Sequence, residues 1–255
     1  MANTIYANKV LEAKAKDLLL TSVNARSLMT IDSDLTQNAG MTKTINVYTY
    51  TGTAEELEAG EGNSNRGAIS YVGTDYNVKL VQQAFDYLDE DYMKDNTIVD
   101  NMLKGANQVM INKMTADFTA ELAKSSLKVT GALSYNTIVD AISELNVEDE
   151  SGVFVIIPNE WKKLLRKDED YKTARMGEVV YNGQVGTIAG IPVIATKALE
   201  SAAYVLTKEA VKLFMKKDVE VEQDRDADKR KNSVYLRTAY VCALVDATKI
   251  VQIAA

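Results

Sequence analysis

Histidine is absent from the 255 residues. Its absence excludes Ser-His-Asp and Cys-His nucleophilic sites, His-ligated zinc and the imidazole general base. Cysteine occurs once, at Cys242, so no disulfide can form within the chain. The flanking run Tyr240-Val241-Cys242-Ala243-Leu244-Val245 is apolar and predicts a buried thiol in a reducing environment. No apolar run approaches the ~20 residues that span a bilayer, and Met1-Ala2-Asn3-Thr4 lacks the charged start and apolar core of a signal peptide. A soluble protein made in the cytoplasm, with no membrane partner, is the expectation. No Gly-x-x-x-x-Gly-Lys-Ser/Thr loop occurs, and Gly183, Gly186 and Gly190 do not spell the dinucleotide fingerprint, so no nucleotide cofactor is expected.

What is present is ordinary in bulk. Basic residues number 29 and acidic residues 36, a net charge of −7, which argues against a strongly basic nucleic-acid binder. A composition 46% hydrophobic and 25% charged belongs to a globular protein rather than a disordered one.

Asn8 to Thr21 places Val10, Leu11, Ala15, Leu18 and Leu19 at helical spacing, with Lys9, Glu12, Lys14, Lys16 and Asp17 on the other face. So short a helix is marginal in water and needs a surface to lie on. Arg26 to Gly40 reads as an extended connector. Thr44 to Tyr50 and Ile69 to Val81 have strand content, and between them Thr51 to Gly67 holds four glycines, four glutamates and almost nothing to bury. The expected structure is a long two-stranded hairpin with an acidic tip, the alternative being a mobile surface loop on a compact domain. A lone two-stranded hairpin is marginally stable, so something outside the local chain must hold it.

Asn96 to Ser125 keeps a 3.6-residue period through Ile98, Val99, Met102, Leu103, Ala106, Val109, Met110, Met114, Phe118 and Leu122, with Asp95 or Asn96 as N-cap. Roughly thirty residues at 1.5 Å each give about 45 Å. Gly105 inside it costs about 1 kcal/mol relative to alanine and predicts a close contact or a kink. Shorter elements follow: a helix at Tyr135 to Leu145, a strand at Val153 to Ile157, a turn at Pro158-Asn159 opening a short helix through Trp161, Leu164 and Leu165, and a weakly patterned stretch from Arg166 to Asn182. Val185 to Ala195 reads as two strands broken at Gly190. Then come a strand at Ala203 to Leu206, a helix at Lys208 to Met215, a strand at Val219 to Gln223, a charged turn at Asp224 to Lys231, and strands at Val234 to Asp246 and Ile250 to Ile253. The class is α+β.

Two sets of charges are candidate sites. Asp86, Asp89, Glu90, Asp91 and Asp95 form the densest carboxylate cluster, which could hold a metal, but interleaving with Phe85, Tyr87, Leu88 and Tyr92 reads as the wet face of an amphipathic segment. Lys212, Lys216 and Lys217, with Lys229, Arg230 and Lys231, make two basic clusters that read as solvated faces; any DNA contact there would be sequence-independent.

The order of an N-terminal arm, a long hairpin with an acidic glycine-rich tip, a long helix and a compact α+β region resembles the Hong Kong 97-type major capsid protein of tailed bacteriophages. Gly183-Gln184-Val185-Gly186-Thr187-Ile188-Ala189-Gly190-Ile191-Pro192-Val193-Ile194 is similar to the family's axial-domain strand pair. Val219-Glu220-Val221-Glu222-Gln223-Asp224-Arg225-Asp226, followed by a long strand and a short apolar one, is similar to its final section.

The resemblance implies 1–43 as an N-terminal arm, 44–81 as the extended loop, 82–130 as a peripheral domain with its spine helix at 96–125, 131–198 as the axial domain, and 199–255 as the rest of the axial domain returning to peripheral strands. It implies a structural protein rather than an enzyme, forming pentamers and hexamers of an icosahedral shell around double-stranded DNA held by non-specific contact. The expected location is the virion capsid, assembled in the bacterial cytoplasm. Glu55, Glu56, Glu58, Glu61 and Arg66 are the expected intersubunit contacts. Thr51 to Ala68 has no lysine, so the covalent cross-link made by some members is not expected; Lys43 and Lys79 lie at the hairpin base. The arm is too short for the family's scaffolding leader, which implies a separate scaffolding protein beside a portal and a maturation protease. The alternatives are an encapsulin-like nanocompartment, its N-terminal helix binding cargo, and a metal-dependent enzyme using the Asp86 to Asp95 cluster.

Overall fold

The computed structural model describes residues 8–21, 25–37, 39–174 and 186–254. Helices α1 (Asn8–Thr21) and α2 (Ala25–Leu28) precede strand β1 (Thr30–Asp32). Strands β2 (Thr42–Thr51) and β3 (Ala68–Asn77) form the hairpin, and after Val78 alone comes β4 (Lys79–Leu88). Helices α3 (Asp89–Lys94) and α4 (Ile98–Leu122) lead to β5 (Leu127–Thr130), α5 (Tyr135–Leu145), β6 (Val153–Pro158), α6 (Lys162–Lys167) and α7 (Glu169–Ala174). The chain closes through β7 (Thr187–Ile188), β8 (Ile191–Thr196), β9 (Ala202–Thr207), β10 (Val211–Asp226), β11 (Lys231–Leu244) and β12 (Ile250–Ala254).

The strands make three sheets: the β2-β3 ribbon, a four-stranded sheet ordered β1-β10-β11-β4, and a six-stranded sheet ordered β5-β12-β9-β6-β8-β7. The six-stranded sheet carries α5 on one face, sealing a core of Ile138, Leu145, Val155, Ile157, Val205 and Val251. Ser134 starts α5 by accepting the Thr137 amide at 3.1 Å, and Asn146 ends it in the left-handed conformation at φ 46°.

Helix α4, 25 residues long, joins two further cores. Its first half inserts Val99, Leu103 and Met110 beside Val221, Val234 and Leu236, while its second half inserts Met114, Phe118 and Leu122 beside Leu213, Met215 and Tyr240. It is shorter than the expected 96–125 span. Thr97 is the N-cap, while Asp95 accepts the Thr97 amide at 2.9 Å and its hydroxyl at 2.7 Å. Val109, expected on the apolar stripe, is half exposed, and Asn107 is buried within it. Helix α1 occupies its expected span and docks through buried Leu11 and Ala15, with Lys14 2.8 Å from Asp100 of α4. The side chains of Leu18 and Leu19 lie outside the described residues.

Three expectations need correction. Arg26 to Gly40 is not merely extended: it holds most of α2, then β1, which pairs in parallel with β10, and a 3-10 turn at Asp34–Thr36. The run from Ile69 to Val81 is two strands, because the hairpin ends at Asn77 and Lys79 already pairs with Tyr240 of the body sheet. The expected helix at Lys208 to Met215 and strand at Val219 to Gln223 are one 16-residue strand, β10, with Leu213 opposite Cys242 and Val221 opposite Leu236. Pairing with β11 outweighs the local helical spacing of Val211, Phe214 and Met215. The motif residues Gly183 to Val185 lie outside the described residues.

Candidate intersubunit surface

The hairpin is held in register by ten residue pairs from Thr42↔Asn77 to Thr51↔Ala68. Side-chain rungs reinforce its lower half: the Thr42 hydroxyl donates to Asn77 at 2.8 Å and the Thr44 hydroxyl to Asp75 at 2.6 Å. Because side chains alternate along a strand, Tyr48, Tyr50, Ile69 and Tyr71 share one face and Val47 and Val72 lie on the other. Tyr48 and Tyr71 stand opposite each other with ring centroids 5.8 Å apart. Tyr50, Ile69 and Tyr71 are 68%, 67% and 66% exposed, so the described residues leave this apolar face uncovered. A cluster of large apolar side chains displayed in this way is a candidate contact surface.

At the tip, Glu55 turns inward and accepts the Ser64 hydroxyl at 2.7 Å and the Ser64 amide at 2.9 Å. Those two bonds, the hydroxyl's first, hold its carboxyl below the usual carboxylate range. Gly60, at φ 96°, makes the turn in which the Glu61 amide donates to Glu58 at 3.0 Å. The Tyr50 ring fills the space over Gly52 and Gly67, where a Cβ on either glycine would collide with it. Of the five tip residues singled out in the sequence, Glu55 is thus engaged within the loop, and Glu56, Glu58, Glu61 and Arg66 are exposed. The apolar face below them is no part of the sequence expectation. Its sequence signal is a strand pair with tyrosine, valine and isoleucine on both faces.

The hairpin's foot is anchored to the body. The Val78 amide donates to Met41 at 2.7 Å, and Val78 packs with Leu35, Phe214 and Val241. The Tyr76 hydroxyl donates to the Leu244 carbonyl at 3.3 Å, with the Lys124 ammonium 5.5 Å from the Tyr76 ring centre. Beneath them a cavity of about 330 Å³ is lined by Tyr76, Asp117, Glu121, Lys124, Tyr240 and Cys242, among others. Burial, with Asp117 and Glu121 adding to it, pushes the Cys242 thiol up to about 12.

The carboxylate cluster is engaged by donors within the chain. Asp86 meets Lys231 at 2.7 Å, Asp89 meets Arg225 at 2.7 Å and Asn232 at 2.8 Å, and Glu90 meets Arg230 at 2.8 Å. Among the described residues, no three carboxylate or cysteine side chains converge as a metal site. The same pairs engage two of the three cations of the second basic cluster, and Lys229 lies 3.6 Å from Asp226. Among the described residues, no helix is long and apolar enough to cross a membrane.

Comparison with known proteins places this architecture. No family model matches the chain. A curated relative, the major capsid protein of Staphylococcus phage phiMR11, is 26% identical over 235 residues, covering 89% of this chain and 85% of the relative. The capsid of Cyanophage P-SCSP1u superposes with a TM-score of 0.72 at 11% identity, covering 100% of this chain and 91% of that one. The head structure of Helicobacter pylori bacteriophage KHP40 gives 0.69 at 12% identity over 91% and 88%. A virus-like particle from Pyrococcus furiosus gives 0.65 at 12% identity over 96% and 98%. The chain is similar to a phage major capsid protein and has the Hong Kong 97-type capsid fold.

Proposed function

We infer that the chain is the major structural protein of a tailed-phage or prophage shell rather than an enzyme, and that many copies close into an icosahedral capsid around double-stranded DNA. The observation that carries this reading is the apolar hairpin face, Tyr48, Tyr50, Ile69 and Tyr71, left bare by a chain with a capsid fold. A two-stranded ribbon is at best marginal on its own, so a neighbouring copy that covers this face stabilises the ribbon and the lattice together. A shell repeats the contact in every subunit, and modest individual interfaces sum to a stable particle.

On this reading the hairpin within 44–81 is the extended loop, α4 is the spine helix, the six-stranded sheet with α5 belongs to the axial domain, and the β4-β10-β11 sheet belongs to the peripheral domain. Glu56, Glu58, Glu61 and Arg66 at the tip meet polar groups of the neighbour. Pentamers and hexamers, a separate scaffolding protein, a portal and a protease complete the assembly. The curated relative favours a virion over a cargo-filled nanocompartment. Negative-stain microscopy of particles from cells expressing the chain with its neighbouring genes tests the reading: closed DNA-filled heads support it, whereas closed shells filled with an enzyme would transfer it to the nanocompartment.

A further inference from the structure

Strand β6 separates two groups of like charges. Ahead of it, Asp140 and Glu144 are exposed on α5, and Glu148 and Glu150 follow on the way to the strand. Beyond it, the six residues of α6 carry Lys162, Lys163, Arg166 and Lys167, in a chain whose net charge is −7. The six residues of β6 at about 3.3 Å each put roughly 20 Å between the two ends, too far for ion pairs within one chain.

Neither group is neutralised locally. Leu165 is buried in the same core as Leu145 and Ile157, which seats α6 against the six-stranded sheet. The carboxylates that follow α6 turn elsewhere: Asp168 accepts the Tyr135 amide at 2.6 Å and the Asp170 amide at 3.0 Å, Glu169 takes Lys172 at 2.6 Å, and Asp170 accepts from Asn136 at 2.9 Å. Lys162, Lys163 and Lys167 form no ion pair with any described residue. At the other end Asp149 is committed to the Ser151 amide at 2.9 Å, whereas Asp140, Glu144, Glu148 and Glu150 meet no described cation. The two groups also match in spacing. Asp140 and Glu144, four residues apart, share a face of α5, and Lys163 and Lys167, four residues apart, share a face of α6. Like charges at that spacing disfavour the helix that bears them, and each pair carries the sign that relieves the other.

We propose that the α6 lysines of one copy engage the Asp140 and Glu144 face of a second copy, so that chains associate head to tail through the domain of the six-stranded sheet. Three unpaired lysines beside Asp168, Glu169 and Asp170 offer little to a phosphate backbone, whereas the matching acidic face is present once on every copy. A contact between two different faces is heterologous, and repeated by rotation it closes into a ring. The contact itself needs no shell; its closure into pentamers and hexamers rests on the shell reading.

Sedimentation velocity of the purified chain tests the contact directly. The wild type is expected to self-associate at low salt and to dissociate as salt screens the pairs. Lys163→Glu with Lys167→Glu, and separately Asp140→Lys with Glu144→Lys, are expected to weaken association by more than about tenfold, because each sets like charges together. All four side chains are exposed, so both variants are expected to keep the wild-type circular dichroism. The two variants mixed, and a chain carrying all four reversals, are expected to recover association. A wild type that stays monomeric at low salt, or reversals that neither weaken nor restore association, overturns the contact. Loss in the lysine variant alone, with the carboxylate variant unaffected, assigns α6 to another anion and also overturns it; a labelled DNA duplex bound by the wild type and not by that variant identifies the anion as nucleic acid. Closed shells at normal yield from both variants would overturn the contact and leave the shell reading standing, whereas association restored by the charge swap, with no shell under any condition, would do the reverse.

Discussion

Tyr240 of β11 donates its hydroxyl to Oδ2 of Asp117 of α4 across 3.0 Å, tying the body sheet to the long helix beneath the hairpin's foot. The other oxygen of that carboxylate takes Lys113 at 2.7 Å and Lys79 at 3.8 Å. Burial first, then the Asp117 charge and its hydrogen bond, push the Tyr240 hydroxyl far above the ordinary phenol range, so it stays a donor at any working pH. Tyr240→Phe is expected to cost about 1.5–3 kcal/mol, the range for a hydrogen bond to a charged group. A lowered urea midpoint with unchanged slope is the expected reading. An unaltered midpoint would contradict it.

Leu103 sits on the buried stripe of α4 at 1% exposure. Leu103→Asp places a charge among the apolar side chains of that core and is expected to cost about 3–5 kcal/mol, enough to unfold many single domains. Circular dichroism and size exclusion of the variant check this; a folded, assembling variant would show that the stripe is not core.

The hairpin separates stability from assembly. Tyr50→Ser with Tyr71→Ser removes a cross-strand ring pair and the ring over Gly52 and Gly67 but no core contact, so the free chain's stability is expected to fall by no more than about 1–2 kcal/mol. Shell yield is expected to fall severely. Glu56→Gln, Glu58→Gln and Glu61→Gln are expected to be mild singly, since exposed ion pairs contribute about 0–1 kcal/mol. Deleting Thr53 to Asn65 removes all four glutamates of the tip and is expected to abolish normal shells. Normal yield from that deletion would show that the tip has no structural part.

The Cys242 thiol supplies a pH signature. Its folded pKa of about 12 lies above the ordinary 9.0, so the neutral thiol favours the folded chain. That contribution is complete below about pH 9 and is lost as the pH rises through about 12. Stability is expected to decline across this alkaline window, less steeply in Cys242→Ala, and maleimide is expected to leave the folded chain unlabelled at pH 8. Rapid labelling of the native chain would show the cavity to be open.

Helices were readable where an apolar stripe is buried along their length, whether in one core as in α5 or in two as in α4, because 3.6-residue spacing survives without knowledge of the partner. The elements between Ala25 and Thr36 are three or four residues long, too short for any period to register. Strand β10 misleads because Val211, Phe214 and Met215 fit a helical face as well as a strand, and its bulge at Lys217 imitates a break between two elements. The candidate surface was half legible. The charges at the tip stand out residue by residue, whereas the apolar face exists only once the register sets Tyr48 across from Tyr71 and Tyr50 across from Ile69. Above the foot, where Ile45 and Tyr76 still meet the body, its strands lack the alternation of a half-buried sheet because the described residues of the body cover neither face.

Electron microscopy of the chain expressed with its neighbouring genes tests the central claim most directly. The account predicts closed shells of pentamers and hexamers in which density for the Tyr48-Tyr50-Ile69-Tyr71 face lies against an adjacent subunit. A monomer of 28.0 kDa under those conditions, or shells in which that face points into solvent, would contradict it.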